Sequence, residues 1–289
     1  MTTSAYPTVR QHYHNYFEMT HRFAGWLSVA LVWGLIVSLT KDTTHFAVGP
    51  SLGRALINSP SFWFLTIISL CLVYPWLHLR KLSVQTEVLS SHACRIYVKD
   101  RSYIRPYPGS FVRLSQSPLF EWHSFAAIAE SGEDKGDYSV VVSKAGDWTS
   151  NVIAHPPTEM WYKGVPTCGV LHVSKLFRKI VLIATGSGIG PCLAVLRSGE
   201  VPCRVLWSTR SPRKTFGDGL VGDVLKADKD AVIYDTASGS RPDVVKMAYS
   251  MYRESKAEAV VIISNPSLTY KVVYGLESRG VPAFGAIWD

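Results

Sequence analysis

Two stretches of the chain, residues 26–39 and 62–79, contain no Asp, Glu, Lys or Arg. They form most or all of two apolar runs, 23–39 and 62–79, and each run is at the short end of the roughly 17 to 25 residues that span a bilayer. Trp and Tyr side chains within the runs suit a membrane–water interface. The runs therefore predict two transmembrane helices; a buried helical hairpin in a soluble protein is the alternative.

The basic residues that flank these runs predict a topology. Two spans place both termini of the chain on one side of the membrane, and Arg10, Arg22, Arg80 and Lys81 all fall on that side. Because cytoplasmic flanks of membrane spans are enriched in Lys and Arg, we expect that side to be cytoplasmic. The sequence thus predicts an integral membrane protein with its soluble part in the cytoplasm. We expect Pro75 to kink or end the second helix.

Charge and cysteine content exclude several classes of function. The net charge is +8, but no long Lys/Arg run or basic helical stripe is present, so we expect no nucleic-acid partner. The five cysteines are odd in number and include no C-x-x-C, which argues against a disulfide framework and a zinc site. We predict no metal site and a reducing compartment.

The pattern changes twice after the apolar runs. From residue 89, short alternating runs with turn signals predict a small antiparallel β-barrel. From residue 179, alternating strand and helix patterns predict a parallel sheet with helices on both faces. The predicted domains are an N-terminal tail (1–22), a two-helix membrane anchor (23–82), the β-barrel (83–170) and the α/β domain (171–289). Predicted strands include 92–98, 110–114, 124–128, 138–142, 180–184, 204–207, 231–234 and 259–263, and residues 131–137 form a polar hairpin loop; predicted helices are 191–196, 219–226, 243–255 and 267–279.

Residues 180–192, I-V-L-I-A-T-G-S-G-I-G-P-C, are a strand that runs into a glycine-rich turn and then a helix. Glycines let the backbone approach a phosphate, and the helix that follows offers free N–H groups at its N-terminus. Pro191 suits a first helical turn. The spacing is not G-x-G-x-x-G, and a tight turn in an ordinary α/β domain is the alternative. The predicted nucleotide-binding residues are Thr185, Gly186, Ser187, Gly188, Ile189, Gly190 and Pro191.

This turn resembles the nicotinamide-binding turn of the ferredoxin–NADP reductase superfamily. Four further segments resemble motifs of the same superfamily and follow one another in the same order. They are P-G-S-F-V-R-L (108–114), E-W-H-S-F-A (121–126), K-A-G-D-W-T (144–149) and V-I-I-S-N-P (261–266) with the ending at 284–289. The second and third are similar to flavin motifs of ferric reductases and NADPH oxidases. The lead-in T-H-R-F-A-G-W (20–26) resembles the C-terminal portion of fungal membrane proteins that also carry an adenylation domain, which we do not expect in these residues.

The resemblance implies FAD and a nicotinamide nucleotide as cofactors. His123, Ser124 and Phe125 match the flavin strand, while Ser124 replaces a proline and Ala126 a residue that carries a hydroxyl. A core or exposed histidine is the alternative reading of His123. Residues that match the FAD diphosphate clamp could also form a turn capped by threonine; they are Gly146, Asp147, Trp148, Thr149 and Ser150.

Arg210 follows the second strand of the α/β domain, where the family binds the adenine ribose. A cation there favours a 2′-phosphate, and no acid follows directly at the strand end, so NADPH is expected, with NADH possible. The resemblance also implies catalytic positions for Trp288, by stacking on the flavin, and Cys192, near the nicotinamide; core packing is the alternative for both.

The predicted function is electron transfer from NAD(P)H through FAD to a small-molecule or protein acceptor. The altered flavin motif leaves a second possibility, a non-catalytic membrane protein that retains a reductase-like fold. Related oxidases hold haem between paired histidines inside helices, but neither apolar run has a histidine in its interior: His21 lies before the first run and His78 near the end of the second. The membrane part is therefore predicted to be an anchor, or half of a site that another protein completes.

Overall fold

The computed structural model describes residues 6, 14–43, 51–100, 106–130, 137–239 and 241–286. The chain divides into two compact units. The first consists of Met1–Arg80 and Ser115–Trp122, and the second of Lys81–Leu114 and His123–Asp289.

Helices α1 (His14–Thr43), α2 (Leu52–Ile57) and α3 (Pro60–Leu77) form the first unit. Helix α1 begins inside the segment predicted as a tail, so His21 lies within the helix and not before it. Pro75 lies inside α3 and the helix ends two residues later. The apolar run identified the centre of α1 but not its start, because the polar residues before the run continue the same helix.

Two helices, Tyr16–Thr43 and Pro60–Leu77, are long and apolar enough to cross a membrane. They contact each other through Trp33, whose Nε1 donates a hydrogen bond to Ser69 Oγ at 2.9 Å, and through the Trp26 and Trp76 rings. Among the described residues of these two helices, only Leu65 is buried. A hairpin in the core of a soluble protein would be mostly buried, whereas the side chains of these two helices are largely exposed.

The loop of residues 115–122 belongs to the helical unit although it lies between two strands of the sheet. Arg22 Nη1 donates a hydrogen bond to the Leu119 carbonyl at 2.8 Å, and the Phe23 and Phe120 rings lie 6.4 Å apart. The predicted division into consecutive domains did not anticipate this long-range contact.

The second unit begins with an eight-stranded sheet. Its order is β4-β3-β7-β1-β2-β6-β5, with β8 beside β3, and the registers of β1–β2, β2–β6, β3–β4, β3–β8 and β5–β6 are antiparallel. Alternate strand residues such as Leu82, Val84 and Leu114 fill its core. The strands are β1 (Arg80–Val88), β2 (Ala93–Val98), β3 (Ser110–Ser115), β4 (His123–Ala126), β5 (Ile128–Ala129), β6 (Tyr138–Ser143), β7 (Glu159–Tyr162) and β8 (Thr167–Cys168).

Helix α4 (Asp147–Ala154) follows β6, and a 3-10 helix (Val170–Leu176) leads into the α/β domain. There the parallel strands β9 (Ile180–Thr185), β10 (Cys203–Thr209), β11 (Val232–Asp235), β12 (Ala259–Ile263) and β13 (Ala283–Gly285) take the order β11-β10-β9-β12-β13. Helices α5 (Ile189–Ser198) and α6 (Pro212–Ala227) pack on one face, and α7 (Val244–Ser255) and α8 (Pro266–Glu277) on the other. The predicted parallel sheet is confirmed.

A buried ion network joins the antiparallel sheet to the α/β domain. Glu130, whose side chain is fully buried, lies 2.6 Å from Arg95 Nη2 and 3.1 Å from Arg197 Nη2. Asp223 Oδ2 accepts hydrogen bonds from the same two guanidiniums at 3.1 and 2.9 Å. Burial alone would lower the pKa of Arg95, but the Glu130 carboxylate and its other partners raise it above its usual value. Arg95 therefore stays charged. Arg95 and Glu130 of the antiparallel sheet domain face Arg197 and Asp223 of the α/β domain, so each domain contributes one cation and one anion to the network.

Candidate functional site

The glycine-rich turn has the strand–turn–helix geometry that the sequence predicts. Strand β9 is buried up to Ala184, residues 186–188 form a 3-10 turn, and α5 begins at Ile189. Gly186 has a φ of +51°, which disfavours side chains other than glycine. A Cβ on Gly188 would overlap the carbonyl oxygen of Ile263. The backbone here needs glycine for steric reasons that a generic surface turn would not impose.

This turn lies at a topological switch point. Strand β9 is central, with β10 on one side and β12 on the other, and ligands of open α/β sheets bind beyond the carboxyl ends of such strands. A cleft of about 540 Å³ opens there, and Thr185 Oγ1 and Ser264 Oγ lie 2.6 Å apart across the two strand ends. The cleft is lined by His92, Thr185, Gly186, Ser187, Gly188, Pro191, Ile263, Ser264, Asn265 and Pro266.

Hydroxyls, backbone amides and the N-terminus of α5 make this cleft suitable for an anionic group. Of the seven residues predicted in the turn, five line it. Ile189 is fully buried in the core. A Cβ on Gly190 would lie 3.3 Å from Val141 Cβ, so Gly190 allows α5 to pack closely on strand β6.

A second cleft, of about 550 Å³, opens between the antiparallel sheet and the α/β domain. Its surface is mostly apolar, with a few hydroxyls, as is typical of sites for planar cofactors. It is lined by Gly109, Ser110, Phe111, Ser124, Phe125, Ala126, Val141, Ser143, Ala145, Thr149, Gly169, Val170, Leu171, Ser187, Pro191, Ile263 and Ala286. Ser187, Pro191 and Ile263 line both clefts, so the two cavities adjoin along a common wall.

The predicted flavin strand, β4, contributes to this second cleft through three consecutive residues. Ser124, Phe125 and Ala126 line it. His123 does not line it. The His123 ring stacks on the Trp148 ring with centroids 3.9 Å apart, and the Phe125 ring also stacks on Trp148, with centroids 5.8 Å apart. The two sequence departures, at Ser124 and Ala126, therefore both fall on the cleft wall.

The segment predicted to hold a diphosphate forms the N-terminus of α4. Thr149 Oγ1 accepts hydrogen bonds from the N–H groups of Ala145 and Gly146 at 2.8 and 3.0 Å, and Ser150 Oγ donates to the Gly146 carbonyl at 2.7 Å. The Thr149 and Ser150 hydroxyls thus stabilise the turn itself, as expected if these residues form a turn capped by threonine. Amides in the first turn of a helix have no partner within the helix and can bind an anion. Asp147 is exposed and lines neither cleft.

Arg210 is exposed at the carboxyl end of β10 and lines neither cleft. Sequence reasoning found no acid at this strand end, but the register pairs Thr209 with Asp235 of the neighbouring strand. The N–H groups of Ala237 and Ser211 donate to Asp235 at 2.8 Å. These hydrogen bonds, first from Ala237 and then from Ser211, lower the pKa of Asp235, with a smaller contribution from the Arg210 charge.

The two residues predicted to be catalytic have different outcomes. Cys192 lies on the core-facing side of α5 and is completely buried among apolar residues, and burial raises the pKa of its thiol. It reaches neither cleft, so the alternative of core packing describes it. Trp288 lies outside the described residues. All five cysteines are free, and no cluster of metal-ligating side chains occurs in the described part of the chain.

Sequence reasoning missed several residues that line the clefts. His92 comes from the turn between β1 and β2, and Ser264 and Asn265 follow β12, whose end adjoins β9. The segment 169–171 lines the second cleft. Ser264 and Asn265 could have been predicted from the parallel pairing of β9 with β12, since the carboxyl ends of parallel strands lie at the same edge of a sheet. No local pattern marked His92.

The chain is similar to known proteins over nearly its whole length. Residues 170–289 match the family model described as adenylate-forming reductase 03009, C-terminal domain. Adenylate-forming reductases 03009 and 06235 from Coprinopsis cinerea are each 51% identical over 285 residues, 99% of this chain. The chain spans only 27% of their length. Ferric reduction oxidase 5 from Arabidopsis thaliana is 26% identical over 121 residues, which are 39% of this chain and 17% of that protein.

Solved structures share the fold of the second unit. A ferredoxin NADP⁺ reductase from Neisseria gonorrhoeae, with bound FAD and NADP, has a TM-score of 0.56 at 14% identity and covers 72% of this chain and 99% of its own. Ferredoxin-NADP⁺ reductase from Plasmodium falciparum with 2′P-AMP has a TM-score of 0.58 at 11% identity, covering 75% and 98%. The antiparallel and parallel sheets thus form a ferredoxin–NADP reductase-like fold, and residues 170–289 of the chain match the family of the adenylate-forming reductase 03009 C-terminal domain.

Proposed function

We propose that the chain is a membrane-anchored, FAD-dependent oxidoreductase that passes electrons from NAD(P)H through FAD to an acceptor. The observation that carries the proposal is the pair of adjoining clefts, one polar and one mostly apolar, with Ser187, Pro191 and Ile263 in their common wall. A reaction between two bound cofactors needs such adjacency, because their reacting atoms must meet.

The polar cleft suits the nicotinamide nucleotide. Gly186 leaves open space beside the backbone for a phosphate, and Gly188 lets the turn pack against the Ile263 carbonyl. The N-terminus of α5 supplies the positive end of a helix dipole. Arg210, exposed at the end of β10, is our candidate for the 2′-phosphate of NADPH. NADPH is therefore the proposed donor, with NADH as a weaker one.

The mostly apolar cleft suits FAD, as a cavity with an aromatic wall and a helix N-terminus beside it. Phe125 would support the isoalloxazine ring, and the N-terminus of α4 would bind the diphosphate. When bound, FAD supplies the capacity to accept a hydride and release electrons. The chain binds and orients it and limits access of water. Ala286 lines this cleft, so we propose that Trp288, two residues on, covers the flavin ring.

The two apolar helices are the proposed anchor. Their exposed side chains, such as Leu31 (64% exposed) and Phe64 (68%), are suited to contact with lipid. We propose that both termini and the second unit are cytoplasmic, because two spans would put the basic residues Arg10, Arg22, Arg80 and Lys81 of the sequence on the same side of the membrane. The Coprinopsis relatives are named adenylate-forming reductases, and we propose that the region matched here carries a reductase activity.

An absorbance spectrum of the detergent-solubilised chain tests this function. We expect flavin absorbance that bleaches when NADPH is added without oxygen. A folded protein that remains colourless and cannot be reconstituted with FAD would contradict the proposal. Extraction by carbonate alone, without detergent, would contradict the anchor but not the reductase.

A non-catalytic nucleotide-binding module is the second candidate. The observation in its favour is that Ala126, where the resemblance implies a hydroxyl, lies on the wall of the flavin cleft. Loss of that hydroxyl removes a hydrogen-bond donor beside the proposed ring position. This candidate predicts bound FAD and NADP⁺ with no bleaching by NADPH. Stoichiometric reduction of the flavin eliminates it.

A further inference from the structure

His92 lies in the antiparallel sheet domain, yet its side chain lines the polar cleft of the α/β domain. Its backbone is held from two sides. The N–H of His92 donates to Ser90 Oγ at 3.0 Å, and Ser90 Oγ donates to the Thr215 carbonyl at 2.7 Å. The carbonyl of His92 accepts from the N–H of Lys144 at 2.8 Å. The turn between β1 and β2 is therefore fixed against α6, with an exposed imidazole at the cleft.

The chemistry of the cleft makes this imidazole distinctive. Within the described part of the chain, His92 is the one residue lining the cleft whose side chain titrates; the others are glycine, proline, isoleucine, hydroxyl and amide residues. An imidazole gains its positive charge as the pH falls from 8 to 6. The contact on the α6 side is the uncharged Phe216 ring, at 6.3 Å. The charged residues that adjoin these contacts in the chain, Lys144 and Lys214, are both cations.

We infer that protonated His92 binds the diphosphate of the nicotinamide nucleotide, as a cation supplied by the flavin domain to the nucleotide cleft. The inference rests on the proposed function and adds a residue to it. Backbone amides of the glycine turn can bind a diphosphate at any pH, whereas an imidazole adds a positive charge only at the lower pH. His92 lines the cleft at the glycine turn and Arg210 does not, so His92 acts on the group that NADH and NADPH share.

Equilibrium binding of NAD⁺ and NADP⁺ to the full detergent-solubilised chain, at pH 6 and pH 8, tests the inference. We expect the wild-type protein to bind NAD⁺ about fivefold more tightly at pH 6, in the range of a partly exposed charged hydrogen bond. NAD⁺ gives the cleaner comparison because a 2′-phosphate itself titrates near pH 6. His92→Gln removes the pH difference and weakens both nucleotides equally at pH 6. His92→Lys binds tightly at both pH values.

His155→Gln is the matched control, since His155 is exposed and bonds only to Asn151 within its own helix. It should bind as the wild type does. Equal affinity of His92→Gln and wild type at pH 6 overturns the inference and leaves the proposed function intact. The same loss in His155→Gln also overturns it. Absence of nucleotide binding by the wild-type protein overturns both. Should His92→Gln not fold, His92→Lys decides, because pH-independent tight binding supports the inference and wild-type pH dependence contradicts it.

Discussion

The two clefts have nearly the same volume, about 540 and 550 Å³, but they are built in different ways. The polar cleft takes most of its lining from two short segments, 185–191 and 263–266, each at the end of a parallel strand. The mostly apolar cleft takes its lining from segments spread over residues 109–286. Binding in the first depends on backbone conformation, which a local sequence specifies. Binding in the second depends on side chains that only the folded sheet brings together.

Gly188→Ala gives the largest expected effect on ligand binding, and that effect is confined to the polar cleft. The new Cβ would overlap the Ile263 carbonyl oxygen, so the turn must move away from β12. We expect NADP⁺ affinity to fall about a hundredfold, roughly 2.7 kcal/mol, while FAD stays bound. Gly222→Ala, whose Cβ meets open space, is the control. Titration of NADP⁺ with a parallel flavin spectrum measures both, and unchanged NADP⁺ affinity would refute this account of the turn.

Glu130→Gln tests whether the ion network holds the walls of the two clefts together. It leaves the buried Arg95 and the partly exposed Arg197 without a full counter-charge, so we expect the free energy of unfolding to fall by about 3–5 kcal/mol. Glu159→Gln removes the exposed partner of Lys81 and should cost at most about 1 kcal/mol. Denaturant titration of both variants provides the comparison. Equal stabilities would show that the network contributes little.

Arg210→Gln should separate the 2′-phosphate from the rest of the nucleotide. We expect the ratio of NADPH to NADH affinity to fall about tenfold, because one hydrogen bond between charged groups is lost. Arg213→Gln is the control, since Arg213 is already paired with Asp218. Measured affinities for both nucleotides decide the point. A fall in NADH binding as large as that in NADPH binding would place Arg210 elsewhere in the site.

Ala126→Ser restores a hydroxyl to the wall of the flavin cleft and has the smallest expected effect. A new hydrogen bond worth about 0.5–1.5 kcal/mol should raise the rate of flavin reduction by NADPH roughly two- to tenfold. Ala129→Ser, exposed on β5, should leave the rate unchanged. Stopped-flow absorbance without oxygen measures both rates. No gain from Ala126→Ser would mean that the missing hydroxyl does not limit the reaction.

The difference between the clefts also explains how far the sequence alone could lead. Strand β12 was predicted with the bounds it has, and the turn at 185–191 was placed correctly between strand and helix, because both signals are local. Strand β1 was missed because its alternation overlaps the basic flank of the second apolar run. Asp235 and His92 were missed because each reaches its position only through pairing or docking of another element.

In the helical unit, too, the sequence predicted the local elements but not the contact between distant segments. Hydropathy located both long helices, since their apolar side chains follow one another in the chain. It could not show that residues 115–122, far along the sequence, bond to Arg22. A hydrogen bond between a side chain and a distant carbonyl has no periodic signature.

The common wall formed by Ser187, Pro191 and Ile263 has a thermodynamic consequence. When two ligands share a boundary, each is an effector of the other, and the coupling is reciprocal. Whatever factor FAD adds to the affinity for the nucleotide, the nucleotide must add to the affinity for FAD. If FAD tightens nucleotide binding, then added nucleotide must slow the loss of flavin during purification by strengthening FAD binding to the same extent.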